Sequence, residues 1–139
     1  MSFQIKKAAV LGAGVMGANI AAQLANAGIP SLLLDIVPSE LTEAEKSKGL
    51  TLQDKAVRNR IVNDNIRLLA TQKPAPLFEP AGAELIEAGN MEDDFERLSE
   101  VDWILEAAPE RVDIKQTIYS RLDLIFKPGQ IVSSNTSGI

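Results

Sequence analysis

The sequence predicts an α/β fold, a doubly wound parallel sheet with a helical excursion after its second strand. Strand-like apolar runs alternate with helical periodicity along most of the 139 residues. The run at residues 31–36 is apolar on both faces, as expected of a central parallel strand. Because parallel strands are joined by right-handed crossovers, this alternation favours helices on both sides of the sheet.

The first three elements follow from apolar spacing and glycine punctuation. Residues 5–11 predict the first strand. A glycine loop then leads into a helix whose first turn is glycine and whose body is alanine, and Gly28 terminates it. The second strand is residues 31–36. The helix repeats apolar side chains at the spacing of one buried face, at Ile20, Ala21, Leu24 and Ala27.

The middle of the chain is more polar. Residues 41–49 carry several charges and predict a loop or short helical turns. Residues 73–76, Lys-Pro-Ala-Pro, predict a stiff connector, because each proline biases its predecessor towards an extended conformation. Between them, residues 52–70 predict a helix with two adjacent apolar rows, Val57, Ile61 and Leu68 beside Val62, Ile66 and Leu69.

The last part of the chain restores the alternation of strands and helices. Residues Gly89 and Asn90 are predicted to turn the chain after the third strand. Apolar residues at helical spacing, Ile114, Ile118, Leu122 and Ile125, predict the crossover to the last strand. The predicted elements are a strand at 83–87, an acidic helix at 93–100, a strand at 102–107, a helix at 112–126 and a strand at 130–134.

Three glycines, at positions 12, 14 and 17, join the first strand to the first helix. Gly12 permits a tight turn, Gly14 has no Cβ to block a ligand, and Gly17 lets the helix pack close to the sheet. The N–H groups and dipole of the helix's first turn favour an anion. A pyrophosphate is therefore expected against Gly12, Ala13, Gly14, Val15, Met16 and Gly17.

Asp35 lies 18 residues beyond Gly17, near the spacing of about 20 at which a carboxylate binds the adenosine ribose hydroxyls. The alternative is a solvated acid at a strand end. The glycine loop favours the ribose role, with Ile36 beside it in the cofactor site. A carboxylate there would repel a 2′-phosphate, and no arginine follows before Arg58, so NAD is favoured over NADP.

Composition excludes several classes of function. The formal net charge of −5 argues against nonspecific nucleic-acid binding. The chain has no cysteine, so it offers neither a disulfide framework nor a thiolate metal site, and no metal site is predicted. No apolar run reaches membrane-spanning length and no signal peptide is evident, so a cytoplasmic protein is expected. Histidine, the commonest general base near neutral pH, is absent.

The chain resembles the N-terminal part of the 3-hydroxyacyl-CoA dehydrogenases of fatty-acid β-oxidation, and the resemblance implies a Rossmann-type fold. The length of residues 41–89 and their connector look like the long bacterial members that carry an enoyl-CoA hydratase domain further along. The resemblance rests on the glycine loop with Asp35, on Glu106-Ala107-Ala108-Pro109-Glu110 with Lys115, and on Ser134-Asn135-Thr136-Ser137.

The resemblance also implies roles for single residues. Glu110 and Lys115 would contact the nicotinamide side of NAD, where Ala107 is also placed. Ser137 would lie between cofactor and substrate and bond the 3-oxygen, and Asn135 would shape that pocket. By residue type alone, Glu110 and Lys115 could equally be a solvated acid and cation, and residues 135–137 turn and capping residues.

The implied reaction moves a hydride from C3 of a 3-hydroxyacyl-CoA to NAD while a base removes the hydroxyl proton. In relatives that base is a histidine oriented by a glutamate, both beyond residue 139. We therefore expect residues 1–139 to be a truncated NAD-binding domain that binds NAD weakly without turnover. The end of that domain and the C-terminal helical domain are expected to belong to a larger parent protein, a homo-oligomer.

Other readings remain open. Another NAD-dependent 3-hydroxy acid dehydrogenase would share the fold, an FAD-binding domain would share the glycine loop, and a non-enzymatic NAD(H)-sensing domain would not need Ser137. Residues 41–89 resemble the excursion by which the family reaches CoA. Seven basic residues lie between Lys46 and Lys73, but the acids among them favour a solvated helix face.

Overall fold

The computed structural model describes residues 5–12, 14–71, 84–107, 112–125 and 130–134. Its strands form one parallel sheet in the order β3-β2-β1-β4-β5. They are β1 (Ala8–Leu11), β2 (Ser31–Asp35), β3 (Ile86–Asn90), β4 (Trp103–Glu106) and β5 (Ile131–Ser134). The helices are α1 (Gly14–Asn26), α2 (Glu43–Ser47), α3 (Lys55–Arg58), α4 (Arg60–Leu68) and α5 (Val112–Ile125), with 3₁₀ segments at Leu69–Thr71 and Phe95–Glu100.

The sheet is covered on both faces, which confirms the predicted doubly wound α/β fold. One face packs against α1 and α4, through a cluster that includes Ala18, Ala21, Ala22, Val62 and Leu69. The other face packs against α5 and the second 3₁₀ segment, through Phe95, Leu98, Ile118 and Leu122. Burial on both sides explains why β1 and β2 are apolar without alternation.

Helix α1 approaches the sheet closely because its buried face consists mostly of alanine. Ala18, Ala21, Ala22 and Ala25 are buried there with Leu24. The predicted face was partly wrong, since Ile20 is only half-buried and Ala27 is exposed in the turn after the helix. The helix begins at Gly14, so glycine lies in its first turn as predicted. A single methyl per position leaves little distance between helix and strands.

The predicted helix over residues 52–70 is broken into α3, α4 and a 3₁₀ turn. The break occurs at Asn59, which is buried and has backbone angles φ −98° and ψ 11°. Its side-chain oxygen accepts a 2.8 Å hydrogen bond from Asn90 Nδ2 at the end of β3. Beside it, the Arg58 guanidinium binds Asp93 at 2.7 and 3.0 Å and Glu92 at 2.8 Å. The excursion is thus anchored to the sheet where the helix breaks.

The first part of the excursion forms the short helical turn that the sequence predicted. Helix α2 is closed at its start by Thr42, whose Oγ1 accepts a 3.1 Å hydrogen bond from Glu45 N. Glu45 returns the contact, since its carboxylate accepts a 2.8 Å hydrogen bond from Thr42 N. This reciprocal arrangement satisfies two backbone donors and holds a helix too short to be stable alone.

Strand β3 lies further along the chain than predicted, and Gly89 and Asn90 belong to it rather than to a turn. A Cβ at Gly89 would lie 2.7 Å from Leu34 Cδ2 and from Asp94 Oδ2, so glycine serves close packing here. The turn follows instead. There Asn90 Oδ1 accepts hydrogen bonds from Glu92 N and Asp93 N. The acidic helix predicted at 93–100 is the 3₁₀ segment.

The remaining elements fall within their predicted ranges, and β4 and β5 are each slightly shorter than predicted. The connector at residues 73–76 and the start of the predicted third strand lie outside the described residues. Within the described parts of the chain, no helix is long and apolar enough to cross a bilayer.

We predict that Gly17→Ala will lower the free energy of unfolding by about 3 kcal/mol or more, because the new Cβ would collide with a backbone oxygen that cannot move aside. That oxygen is the Gly12 carbonyl, and Val10 Cγ1 lies 3.6 Å away on the same side. Urea unfolding measures the effect.

The matched control is Gly49→Ala. Gly49 has φ +75° and nothing within 4 Å of its Cβ position, so only backbone strain of about 1–2 kcal/mol is expected there. Equal costs for the two substitutions would show that the close approach at Gly17 is unimportant.

Candidate functional site

The glycine loop leaves the sheet at the point where the strand order reverses. Strand β1 lies between β2 and β4, so that β2 and β3 lie on one side of it and β4 and β5 on the other. Gly12 N donates a 2.7 Å hydrogen bond to Leu34 O, and Ala107 N donates a 2.9 Å hydrogen bond to Leu11 O. In open α/β sheets, ligands bind in the crevice beside the carboxyl ends of such strands.

The loop has the backbone that the sequence predicted. Gly12 and Gly14 have φ values of +77° and +55°, a region that other residues enter only with strain. A Cβ built on Gly14 would meet, within 4 Å among the described residues, only the side-chain amide of Asn65. The bare main chain at Gly14 therefore fits the close approach of a pyrophosphate, and the positive φ at both positions explains the choice of glycine.

Asp35 ends β2 beside this loop and is hydrogen-bonded to it. The residue is only 6% exposed. Its Oδ1 accepts a 2.8 Å hydrogen bond from Ile36 N, and its Oδ2 accepts 3.3 Å hydrogen bonds from Gly14 N and from Asn65 Nδ2. The glycine loop and the candidate ribose acceptor are thus one hydrogen bond apart, as a dinucleotide's adjacent phosphate and ribose require.

Burial governs the electrostatics of this carboxylate. Desolvation raises the pKa of Asp35 above its usual value, and the hydrogen bonds from Ile36, Gly14 and Asn65 partly oppose that shift. Within the described part of the chain, none of the contributions comes from a cation. Neutral N–H donors therefore stabilise the charge, and they leave the carboxylate able to accept further hydrogen bonds from hydroxyl groups.

Two exposed apolar side chains are near neighbours in sequence of these polar groups. Met16, in the first turn of α1, is 55% exposed, and Ile36, directly after Asp35, is 60% exposed. Large exposed apolar groups suit contact with a flat, weakly polar ring. Both residues belong to the set that the sequence predicted for the cofactor.

Several predicted site residues cannot be placed. Ala13, Glu110, Asn135 and Ser137 lie outside the described residues. Val15 and Lys115 lie in α1 and α5, but their side chains are outside the described part as well. The structure therefore brings together Gly12, Gly14, Asp35 and Ile36 and leaves the nicotinamide and substrate ends to prediction.

Two residues at this edge were missed by the sequence reasoning. Glu106 ends β4, is fully buried, and stands in register with Leu11 on one side and Ser134 on the other. An acid that ends an apolar strand was a usable signal, the same one that identified Asp35. Asn65 had no signal, because only the folded chain brings α4 to the glycine loop.

The basic residues of the excursion are mostly engaged by acids. Lys48, Arg60 and Arg67 line a cavity of about 640 Å³ between α2 and α4. Arg60 Nε lies 3.4 Å from Glu45 Oε2, and Arg67 binds Asp64 one turn away. These pairs agree with the solvated helix face that the sequence favoured over a phosphate site. Among the described residues, no group of acids, histidines and cysteines is arranged to hold a metal ion.

Comparison with known proteins identifies the family. The model of the 3-hydroxyacyl-CoA dehydrogenase NAD-binding domain matches residues 7–139. A probable 3-hydroxyacyl-CoA dehydrogenase of Bacillus subtilis is 52% identical over 139 residues, which are 100% of this chain and 18% of that protein. One of Deinococcus radiodurans is 47% identical over 136 residues, 98% of this chain and 35% of that protein.

A solved structure agrees with these relatives. The (S)-3-hydroxybutyryl-CoA dehydrogenase of Ralstonia eutropha superimposes with a TM-score of 0.60 at 26% identity, over 98% of this chain and 42% of that one. The chain thus spans about a fifth to two fifths of the length of the proteins it matches. It belongs to the 3-hydroxyacyl-CoA dehydrogenase family and corresponds to the family's NAD-binding domain.

Proposed function

We propose that this chain binds NAD for a parent protein that oxidises 3-hydroxyacyl-CoA to 3-ketoacyl-CoA in fatty-acid β-oxidation. The observation that carries the proposal is the hydrogen bond from Gly14 N to Asp35 Oδ2, which joins the glycine loop to a carboxylate at the end of β2. The family supports the same cofactor, since its matching part is an NAD-binding domain.

The adenosine half of the cofactor would be held by residues of the glycine loop and β2. Gly12, Ala13, Gly14, Val15 and Gly17 would surround the pyrophosphate, with backbone N–H groups as donors. Asp35 would accept hydrogen bonds from the ribose hydroxyls. Met16 and Ile36 would offer apolar surface to the adenine, which is consistent with the exposure of both.

The reacting half would lie across the switch point, towards β4 and β5. Ala107, Glu110 and Lys115 would line the nicotinamide side, and Ser137 with Asn135 would orient the 3-oxygen of the substrate. NAD itself accepts the hydride when bound. The chain contains no histidine, so the general base of the family would come from elsewhere in the parent protein.

The setting of the parent protein follows from the same proposal. Its substrate would be a 3-hydroxyacyl-CoA, it would act in the cytoplasm, and it would be a homo-oligomer. The net charge of −5 argues against nonspecific binding to nucleic acid, because neutralising phosphates requires clustered cations.

We predict that the protein prefers NAD to NADP and that Asp35→Asn narrows this preference. The variant should bind NAD about 10- to 100-fold more weakly, since it loses hydrogen bonds to a charged acceptor. It should not lose affinity for NADP, because the repulsion of the 2′-phosphate disappears with the charge. Calorimetric titration with both nucleotides measures the change.

The control is Glu100→Gln, which makes the same acid-to-amide change at an exposed residue just before β4, at the opposite edge of the sheet from the glycine loop. Its affinities should match those of the unaltered protein. If Asp35→Asn and Glu100→Gln behaved alike, the ribose role of Asp35 would be wrong.

A pH dependence follows from the raised pKa of Asp35. Below that pKa the folded protein binds a proton that weakens the ribose acceptor, so NAD affinity should fall as the pH is lowered through it. The decline should begin at a higher pH than an ordinary aspartate would give. In the absence of NAD the sign is opposite, because stability associated with the protonated group is lost as pH rises through the folded pKa. Glu87 and Asp93 have lowered pKa values and act on stability with the opposite sign, so the contribution of Asp35 is taken as the difference between the unaltered protein and Asp35→Asn. In that difference NAD affinity should rise with pH and the free energy of unfolding should fall.

A further inference from the structure

Asn65 lies in the middle of α4 with its side-chain amide directed at the glycine loop. Its Nδ2 donates a 3.3 Å hydrogen bond to Asp35 Oδ2. The same amide is the nearest group to the position of a Cβ built on Gly14, since Nδ2 and Oδ1 lie 3.8 and 3.9 Å from it. One side chain of the excursion therefore contacts both the predicted ribose acceptor and the predicted pyrophosphate loop.

The position of this amide is set by the packing of its helix. Val62 and Leu69 are buried in the cluster that also contains α1, and Ile66 packs against it. The helix starts at the buried Asn59, which is hydrogen-bonded to the end of β3. Asparagine is a poor residue for a helix interior, so α4 gains nothing from its propensity at position 65. The reason for the amide lies in what it contacts.

We propose that Asn65 is a positioning residue of the cofactor site, which holds the Asp35 carboxylate ionised and turned towards the glycine loop so that it can receive the adenosine ribose. This inference rests on the proposed NAD-binding function. It assigns part of the cofactor site to the excursion, a segment that contributes neither the glycine loop nor the strand that carries the acid.

The balance of donors on the carboxylate explains how Asn65 would act. Three N–H groups reach Asp35 in the described structure, two from the backbone and one from Asn65. The backbone donors are fixed by the chain, whereas the Asn65 amide is the one side-chain donor among the three. Among the described residues, Asn65 is also the one side chain that lowers the pKa of Asp35 against the effect of burial. No charged group from a neighbouring element contributes in the part of the chain that the structure describes.

The test compares Asn65→Ala with Asn63→Ala in the natural full-length protein. Asn63 is exposed on the same helix, so the two substitutions have the same effect on helix propensity. NAD affinity is measured by calorimetry across a pH series. We expect Asn65→Ala to bind NAD about tenfold more weakly near pH 7 and to move the acid decline of affinity to higher pH, while Asn63→Ala changes neither.

A second variant, Asn65→Asp, preserves the size of the side chain and replaces the donor by a carboxylate. Two carboxyl groups in contact cannot both stay ionised, so NAD affinity near pH 7 should fall further than in Asn65→Ala. This variant keeps the test decisive if the alanine variant does not fold.

The outcomes separate this inference from the function on which it rests. If Asp35→Asn weakens NAD binding and Asn65→Ala leaves both affinity and pH profile unchanged, Asn65 has no positioning role. The same conclusion holds if Asn65→Ala lowers affinity equally at every pH, since that is the result of a structural role alone. If the unaltered protein does not bind NAD, or Asp35→Asn is without effect, the proposed function itself fails.

Discussion

A buried carboxylate held by uncharged donors is the interaction on which the candidate site depends. Asp35 loses most of its water on folding, and among the described residues no cation replaces that water. The cost of burying it is partly offset by N–H groups from three segments: the glycine loop, the chain after β2 and helix α4. The Asp35 carboxylate is therefore held in its observed position only when all three segments are folded around it. The geometry of the site therefore depends on all the segments that surround the two carboxylate oxygens of Asp35.

The excursion takes part in this arrangement because its helical part, from α3 to the 3₁₀ turn after α4, is fixed to the rest of the fold at both ends. At one end Asn59 and Arg58 bind the turn that follows β3. At the other, Leu69 is buried beneath α1. Asp35 and Asn90 are partners in the β2–β3 register, and Met91 N donates a 2.9 Å hydrogen bond to Asp35 O. The strand end that carries the acid is therefore also the neighbour of the excursion's anchor.

The sequence predicted the fold well, because its features are local, and the roles of Gly12, Gly14 and Asp35 in the site stay predictions. A strand, a glycine turn and a helix are encoded within 20 residues, and periodicity shows which faces are buried. The errors came from contacts between distant residues. The break at Asn59 depends on Asn90, and the place of Gly89 in β3 depends on packing against Leu34 and Asp94. Asn65 was missed for the same reason, since nothing within α4 reveals that it faces the loop.

The alanine face of α1 restricts which neighbours of the site can vary. Ala18, Ala21 and Ala22 are fully buried between helix and strands, where a longer side chain has no space and glycine would loosen the helix. None of them would touch a nucleotide, yet any enlargement would push α1, and the loop at its start, away from β2. A screen of random variants for loss of cofactor binding should accordingly yield many substitutions on this buried face. The positions found would then mark the buried face of α1 rather than the residues that contact the ligand.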